Sequence, residues 1–369
     1  MPNESRRASR TILQCTASAV RRVIGRPSEI ASQARLVYIS SQIAGYTRQQ
    51  RGSGFVYFCP DGSLVKDAAI LGRIAALVIP PAWTDVWICR RPRGHLQATG
   101  RDQRGRKQYI YHARWQAAAN LEKFANLQNL GETLGRLRSR VSRELRRPGW
   151  TLEKLAAVAV RLLDATAIRV GNREYTRDNA SYGLTTLEPR HIQISGTEIH
   201  LDFIGKSGKR RQTSFRDRVV APLLGELVEF GGSTLLSLPD GAASRALTAA
   251  DINLFLERAC GRHVTAKDFR TWQATAMAAA AFADICGARP TRRAISMVLR
   301  QASQRLGNTA SVCRSYYLHP QLISDFESDR LKRLLSGFES RPRARLPLAD
   351  QRLLYLLERW QRRRSRVGR

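Results

Sequence analysis

Alternating apolar and polar residues dominate the chain from residue 36 to residue 115 and predict short strands there. The stretches with this pattern are FVYF (55–58), VWIC (86–89), HLQATG (95–100) and KQYIYH (107–112). Gly, Pro and Asp turn signals separate them. One segment, 66–79, has a helical repeat instead and stops at Pro80. The pattern predicts a compact β-rich domain over residues 36–115 with one or two helices.

After residue 115 the apolar residues recur about every 3.6 positions, as in amphipathic helices. Helices are predicted at 115–145, 151–172, 216–230, 248–260, 270–286, 291–305 and 320–336. Between the second and third of these, residues 191–215 have the pattern of three short strands joined by Gly turns. We therefore expect an α+β chain in which a larger, mainly α-helical domain, residues 116–337, carries a β-hairpin insertion.

The two ends of the chain differ from this body in composition. Residues 1–35 are rich in Arg and Ser, and they lack the apolar core of a secretory signal. An organelle transit peptide and a disordered basic arm both fit this composition, and we favour the arm. Residues 338–369 are an Arg-rich tail with one amphipathic piece. No run of eighteen apolar residues is present, so no membrane span is predicted.

The formal charge indicates a polyanionic partner. The chain has 62 basic and 30 acidic residues, a net charge of +32. Residues 1–35 contribute +5 and residues 341–369 contribute +8, which leaves +19 on the body between them. A folded body this basic suits a long nucleic acid better than a small acidic substrate.

Several common catalytic motifs are missing from the sequence. FIGKS at 203–207 resembles the end of a phosphate-binding loop, but His200 stands where that motif needs Gly. There is no HExxH, no GxSxG and no pair of acidic residues at metal-ligand spacing. The six cysteines include no CxxC pair, so we expect neither a zinc site nor a disulfide framework. This cysteine usage fits a protein of a reducing compartment. No metal and no cofactor is predicted.

Four basic or polar stretches remain that suit metal-free chemistry on a phosphodiester. In chain order they are AIRVGN around Arg169, GKSGK around Lys206, KDFRTW around Arg270 and LGNTASVCRSYYLHP (306–320). Arginine forks hold two phosphate oxygens while staying charged, and a lysine with a lowered pKa can supply a proton. A tyrosine hydroxyl can form a covalent link to phosphorus and preserve the bond energy for resealing.

These stretches, in this order, resemble the signature motifs of type IB DNA topoisomerases, and the poxvirus and bacterial branch is the most similar. IPPAWTDVWIC (79–89) and GHLQATGRDQRGRKQYIYH (94–112) are similar to the N-terminal domain of that branch. The resemblance runs from about residue 36 to residue 335, so both ends lie outside it.

The resemblance implies a role for each matching residue. Tyr317 would attack the DNA backbone and hold the 3′-phosphate, freeing a 5′-hydroxyl. Arg169 and Arg270 would grip the scissile phosphate, and Arg169 would also assist the leaving group. Lys206 would protonate the 5′-oxygen from the minor groove, and Asn308 would donate a hydrogen bond to a non-bridging oxygen. The family implies an ATP-independent enzyme that relaxes supercoiled DNA through transient single-strand cleavage.

Further residues match the DNA-contacting positions of the family. They are Gln108, Tyr109, Tyr111, Tyr175 and Lys267. The expected partner is duplex DNA clamped between two domains by a monomer, which implies a cytoplasmic, nucleoid-associated protein.

The motif around the tyrosine departs from the family in one position and is ambiguous in another. Asn308 stands where most relatives have His, and Asn can donate the same hydrogen bond but cannot become cationic. Tyr316 precedes Tyr317, and the spacing from Asn308 together with the following LHP favours Tyr317 as the nucleophile.

Two alternative functions share some of these features. A site-specific tyrosine recombinase has the same nucleophile and basic residues, but the N-terminal motifs here match the topoisomerase branch. A non-catalytic DNA-packaging protein would account for the charge alone. Strand exchange between duplexes identifies the first alternative, and DNA binding without relaxation identifies the second.

Overall fold

The computed structural model of the protein describes residues 27–367 except 172–175, 177–179, 241–242, 286–289 and 341–345. The chain separates into two compact units, one ending at Lys123 and the other beginning at Phe124. Both contain helices and antiparallel strands, so the predicted α+β class is confirmed. No described helix combines the length and apolar character needed to cross a membrane.

Five antiparallel strands form the sheet of the N-terminal unit, in the order β2–β1–β3–β4–β5. The strands are β1 (Tyr46–Arg51), β2 (Gly54–Phe58), β3 (Thr84–Ile88), β4 (Leu96–Arg101) and β5 (Lys107–Tyr111), and the helices are α1 (Pro27–Gln33) and α2 (Ala68–Ala76). Tyr46, Ile74, Ile88 and Ala98 belong to the buried core of this unit. The sheet packs on this core, and its inner strand β4 is buried on both faces.

Two features of this unit were not predicted. Strand β1 has the polar sequence YTRQQR, but it pairs with β2 on one side and with β3 on the other. Backbone hydrogen bonds to neighbours hold a strand whose side chains give no apolar alternation. Helix α1 lies within the segment predicted as a disordered arm, and Ala31 on it is fully buried. The prediction of disorder is therefore wrong for residues 27–33, and residues 1–26 lie outside the described part of the chain.

The C-terminal unit is mainly helical. With α3 crossing from the first unit, its described helices are α3 (Ala113–Glu144), α4 (Leu152–Thr166), α5 (Val220–Glu229), α6 (Ala249–Cys260), α7 (Ala266–Asp284), α8 (Arg292–Leu306), α9 (Ala310–Tyr316), α10 (Pro320–Glu327), α11 (Arg330–Leu335) and α12 (Leu348–Val367). Its strands are β6 (Ile192–Ser195), β7 (Glu198–Ile204), β8 (Arg210–Arg216), β9 (Ser237–Asp240) and β10 (Ala243–Ala246). Strands β6, β7 and β8 form the predicted three-stranded insertion, whereas the β9–β10 hairpin was not predicted.

Helices α4 and α7 run through the core of this unit. Helix α4 begins after Thr151, whose side chain accepts a hydrogen bond from the Lys154 amide, and ends at Ala167 in the left-handed conformation with φ 53°. Helix α7 buries most of its residues, including Phe269, Trp272 and Phe282. A helix that is buried on nearly every side is fixed in place by its packing, so side chains on it are placed rigidly.

Helix α12 makes the Arg-rich end of the chain part of this core. An apolar stripe on it is buried, formed by Leu353, Leu354, Leu356, Leu357 and Trp360. The Trp360 ring stacks on His319 with centroids 4.4 Å apart, and its Nε1 donates to Asp325 at 2.7 Å. The Asp350 carboxylate accepts hydrogen bonds from Trp272 and Arg138, each at 2.7 Å. Residues 348–367 are therefore a structural element and not only a basic tail.

This packing predicts that Trp360→Ala lowers the free energy of unfolding by about 3–5 kcal/mol, because it leaves a cavity beside the His319 ring. Urea unfolding followed by far-UV circular dichroism measures the change. Arg362→Ala, at an exposed position on the same helix, should change it by less than about 0.5 kcal/mol. A loss below about 1 kcal/mol for Trp360→Ala would contradict a structural role for α12.

Candidate active site

Four of the residues predicted to be catalytic come together where several helices end. Arg169 follows the end of α4, Arg270 lies on α7, Asn308 follows the end of α8, and Tyr317 follows α9. Helices α8 and α9 are joined by the short connection that contains Asn308. The site is thus built from helix ends held by the core and not from long loops.

Tyr317 is half-buried against Arg270. The Cζ atom of Arg270 lies 5.1 Å from the centroid of the Tyr317 ring. Thr275, on α7, donates to the Tyr317 carbonyl at 2.9 Å and accepts from the His319 amide at 3.3 Å. Tyr316 points away from the core and is 52% exposed. Only the second tyrosine of the pair therefore contacts the predicted arginines.

The cations around Tyr317 lower the pKa of its phenol. Burial alone raises this pKa, but the charge and hydrogen bond of Arg270 and the charge of Arg169 outweigh that effect. The result lies below the ordinary value for tyrosine. A phenolate at this position is consequently less costly to form than on a free tyrosine.

Arg270 is 4% exposed and is held by backbone carbonyl groups. Its two terminal nitrogens donate to the carbonyl oxygens of Ala167 and, at 2.9 Å, of Leu306. Its Nε is buried and has no hydrogen-bond partner among the described residues. One donor of this guanidinium is thus left unused within the site.

Arg169 and Asn308 contact each other directly. Arg169 Nη2 donates to Asn308 Oδ1, while Asn308 Nδ2 is buried and has no partner in the described part of the chain. Burial and the nearby charge of Arg270 lower the pKa of the Arg169 guanidinium. Hydrogen bonds from the Leu184 and Thr185 amides to Arg169 and Val170 hold the segment that carries the arginine.

Two further arginines, Arg211 and Arg305, extend this cationic cluster. Their guanidinium groups and that of Arg270 occupy the carbonyl-rich C-terminal ends of α4 and α8. The donor–acceptor pairs are Arg305 to Ala165, Arg211 to Thr166, Arg270 to Ala167, Arg211 to Gln304 and Arg305, and Arg270 to Leu306. Helix C-termini carry partial negative charge and unpaired carbonyls, so they can hold buried cations.

Within the described part of the chain, no carboxylate pairs with this cluster. Among the ion pairs of the described residues, none involves Arg169, Arg211, Arg270 or Arg305. Burial and the charges of Arg270, Arg305 and Arg169 lower the pKa of Arg211 to about 10, so it stays protonated at neutral pH. The site therefore keeps a strong positive potential that is available to an anionic ligand.

Lys206 lies beside this cluster on the turn between β7 and β8. A cavity of about 180 Å³ is lined by Lys206 together with Arg169, Arg211 and Asn308. The Lys206 side chain is exposed, and Ser207 and Gly208 after it have φ of 68° and 70°. The structure thus brings the fifth predicted catalytic residue to the same cavity as Arg169 and Asn308.

Arg211 and Arg305 were not predicted from the sequence. In β8, Arg211 shares the half-buried face with Thr213 and Phe215, whereas Arg210 is on the exposed face and pairs with Asp202. An arginine in the apolar register of a strand is therefore a signal that sequence inspection could have used. Arg305 gives no comparable signal, because it is one of many arginines in exposed or half-exposed helical positions.

The residues predicted to contact DNA are distributed over both units. Gln108, Tyr109 and Tyr111 lie on β5, where Tyr109 is 48% exposed and stacks on Tyr111 with centroids 6.0 Å apart. Gln108 Nε2 donates to Asp102 at 2.9 Å. Lys267 is exposed on α7, one turn before Arg270. Tyr175 lies outside the described residues. DNA binding by these residues stays a prediction.

Family models match both units of the chain. The model of the eukaryotic DNA topoisomerase I catalytic core matches residues 112–330, and that of the bacterial DNA topoisomerase IB N-terminal domain matches residues 54–102. The chain is similar to DNA topoisomerase 1B of Acanthamoeba polyphaga mimivirus, with 31% identity over 235 residues. That alignment covers 62% of this chain and 70% of the viral protein.

More distant similarities have lower coverage. DNA topoisomerase 1B of vaccinia virus (strain Copenhagen) is 26% identical over 166 residues, 40% of this chain and 52% of that protein, so the chain aligns with about half of it. Among solved structures, the XerH site-specific recombinase bound to a palindromic difH substrate superposes with a TM-score of 0.37 and 16% identity. That match covers 57% of this chain and 52% of the recombinase chain.

The geometry around Tyr317 predicts that its phenol titrates below pH 10 and that Arg270→Gln raises this midpoint. Once the Arg270 cation is removed, burial raises the pKa of the Tyr317 phenol by more than the Arg169 charge lowers it. The ultraviolet phenolate absorbance of the wild type minus that of Tyr317→Phe isolates this one titration. An unchanged midpoint in Arg270→Gln would contradict the assigned cause of the shift.

Proposed function

Because the chain belongs to the type IB DNA topoisomerases, whose catalytic core matches residues 112–330, we propose that it relaxes supercoiled duplex DNA. In this proposal one strand is cut through a transient 3′-phosphotyrosyl bond and then resealed. Neither ATP nor a metal ion takes part. The nucleophile is Tyr317, and Arg169, Arg270, Asn308 and Lys206 assist it.

The proposal rests on the positive charge around Tyr317 and on the hydrogen-bond donors of neighbouring side chains that have no acceptor. Arg270 Nε and Asn308 Nδ2 are buried polar atoms without a partner in the described chain, and leaving such atoms unpaired is costly. Arg169 and Arg270 lack a carboxylate partner within the same residues. A phosphodiester supplies both the negative charge and the acceptor oxygens that this arrangement lacks.

The first step exchanges one phosphoester for another. The Tyr317 oxygen, having lost its proton to solvent water, forms a bond to phosphorus while the bond from phosphorus to the 5′-oxygen breaks. Negative charge that builds on the non-bridging oxygens is stabilised by Arg169, Arg270 and the Asn308 amide. The leaving 5′-oxygen takes a proton from Lys206 and becomes a hydroxyl. The lowered pKa of Tyr317 favours the attack.

Resealing runs the same steps in reverse. The 5′-hydroxyl returns its proton to Lys206 and attacks the phosphotyrosine, and Tyr317 leaves as phenolate. Because one phosphoester replaces another, the bond energy is retained and no nucleotide hydrolysis is required. Between the two steps the cut strand rotates about the intact strand, which releases torsional strain. The neutral Asn308 contributes a hydrogen bond to this chemistry but no charge.

The remaining predicted residues are assigned to DNA binding. We propose that Lys267 and the β5 residues Gln108, Tyr109 and Tyr111 contact the duplex, with Tyr175 as an additional phosphate contact. Phosphate contacts orient a protein on DNA without reading its sequence, and they make affinity depend on salt. A monomer that clamps the duplex of the nucleoid is the assembly that we propose.

The proposal predicts that Tyr317→Phe lowers plasmid relaxation by at least about a thousandfold, because no covalent link forms without the phenol oxygen. Relaxation of negatively supercoiled plasmid is measured on agarose gels in EDTA without ATP. Tyr316→Phe is the matched control, since Tyr316 is exposed and its phenyl ring is retained.

Three results would contradict this proposal. They are full activity of Tyr317→Phe, loss of activity only in Tyr316→Phe, and DNA binding by the wild type without relaxation. The last result would favour a DNA-packaging protein.

A further inference from the structure

Arg211 links the hairpin that carries Lys206 to the helix ends that carry the rest of the site. It lies on β8, five residues after Lys206, and pairs with Phe203 of β7 in the ladder. Its side chain leaves the hairpin and reaches the last turn of α8, where it donates to the carbonyls of Gln304 and Arg305. It also donates to the Thr166 carbonyl at the end of α4, at 3.2 Å.

The end of α8 is shaped to receive this guanidinium. Gly307 terminates the helix in the left-handed conformation with φ 61°. A Cβ atom at this position would lie 2.5 Å from Arg211 Nη1, so any other residue would displace the guanidinium from where it lies. Asn308 follows immediately. The Arg211 contact and the Asn308 side chain therefore share one short segment of backbone.

The turn that carries Lys206 has few other attachments. Its backbone hydrogen bonds with other described residues are internal, from the Gly205 amide to the Lys209 carbonyl and from the Gly208 amide to the Gly205 carbonyl. The nearest backbone contact outside the hairpin joins the Tyr182 amide to Ile204 at 2.7 Å. Because the exposed tip of a hairpin has few contacts of its own, a side-chain contact from the hairpin to the rigid core has a large effect on where Lys206 lies.

We propose that Arg211 is a positioning residue that docks the Lys206 hairpin against the ends of α4 and α8, so that the lysine stands over the scissile phosphate. The inference rests on the proposed function, since it assigns Lys206 as the proton donor. Arg211 acts through Lys206 and not on the reacting atoms. Its Nη1 and Nη2 donate to three backbone carbonyls at the two helix ends, and its Nε is buried without a partner among the described residues, so the guanidinium is anchored to the core.

A double-mutant cycle tests this dependence. Single-turnover cleavage of a duplex is measured for the wild type, Arg211→Ala, Lys206→Ala and the double variant. Loss of a general acid costs about 10²–10⁴-fold, and we expect about 10–100-fold for Arg211→Ala. In the Lys206→Ala background the Arg211 substitution should add less than about threefold, because the group that it positions is already gone.

A sulfur-substituted substrate distinguishes loss of proton donation from a general loss of structure, because it restores cleavage only in the first case. In DNA with a 5′-bridging sulfur at the cleavage site, the leaving group is a thiolate, which needs no proton because thiols are far more acidic than alcohols. Cleavage of this substrate by Arg211→Ala should be within about threefold of the wild type. Arg216→Ala, on the same strand but 78% exposed at its far end, should match the wild type on both substrates.

The outcomes separate this inference from the proposed function. If Lys206→Ala cleaves both substrates like the wild type, Lys206 is not the proton donor and the proposed function fails at that step. If Lys206→Ala is restored by sulfur and Arg211→Ala is not, or if the two substitutions are additive, the positioning role of Arg211 is wrong. The positioning role is supported if the sulfur substrate restores cleavage by both Lys206→Ala and Arg211→Ala and if the effects of the two substitutions are not additive.

Discussion

The candidate site depends on guanidinium groups that, among the residues the structure describes, are held by carbonyl oxygens and not by carboxylates. The last turns of α4 and α8 present unpaired carbonyls, and Arg270, Arg305 and Arg211 occupy them. A carboxylate would hold an arginine as firmly, but it would also cancel its charge. Dipoles fix the geometry and leave most of the positive charge in place. The site is thus rigid and cationic before any ligand arrives.

This arrangement explains why one tyrosine differs from its neighbour. Tyr317 lies in the field of Arg270 and Arg169, which lowers the pKa of its phenol although burial opposes that change. The same groups would stabilise the negative charge on a phosphate during attack, so activation of the nucleophile and stabilisation of the transition state have a common source. In our proposal Arg211 includes the hairpin in this arrangement, because it attaches the strand that follows Lys206 to the same helix ends.

The sequence predicted the α+β class, the main helices and the five candidate residues of the site, which are Tyr317 and four others, since each rests on a local pattern or on a recognisable motif. It did not predict the polar strand β1, which is held by its neighbours on both sides, nor the packing of α12, whose stripe needs α7 and α10 as partners. Arg211 and Arg305 were missed because their acceptors lie up to 140 residues away in the chain. Local patterns specify elements, whereas these contacts are specified by how the elements pack.

The claim that uncompensated charge drives the chemistry is tested most directly by comparing Asn308→Asp with Asn308→Ala in single-turnover DNA cleavage. Asp retains the acceptor that Arg169 Nη2 uses and adds a negative charge, whereas Ala removes the acceptor and adds no charge. If charge decides, Asn308→Asp cleaves at least about tenfold more slowly than Asn308→Ala. Equal or faster cleavage by Asn308→Asp would show that the orientation of Arg169 matters more than the charge, and would contradict the account.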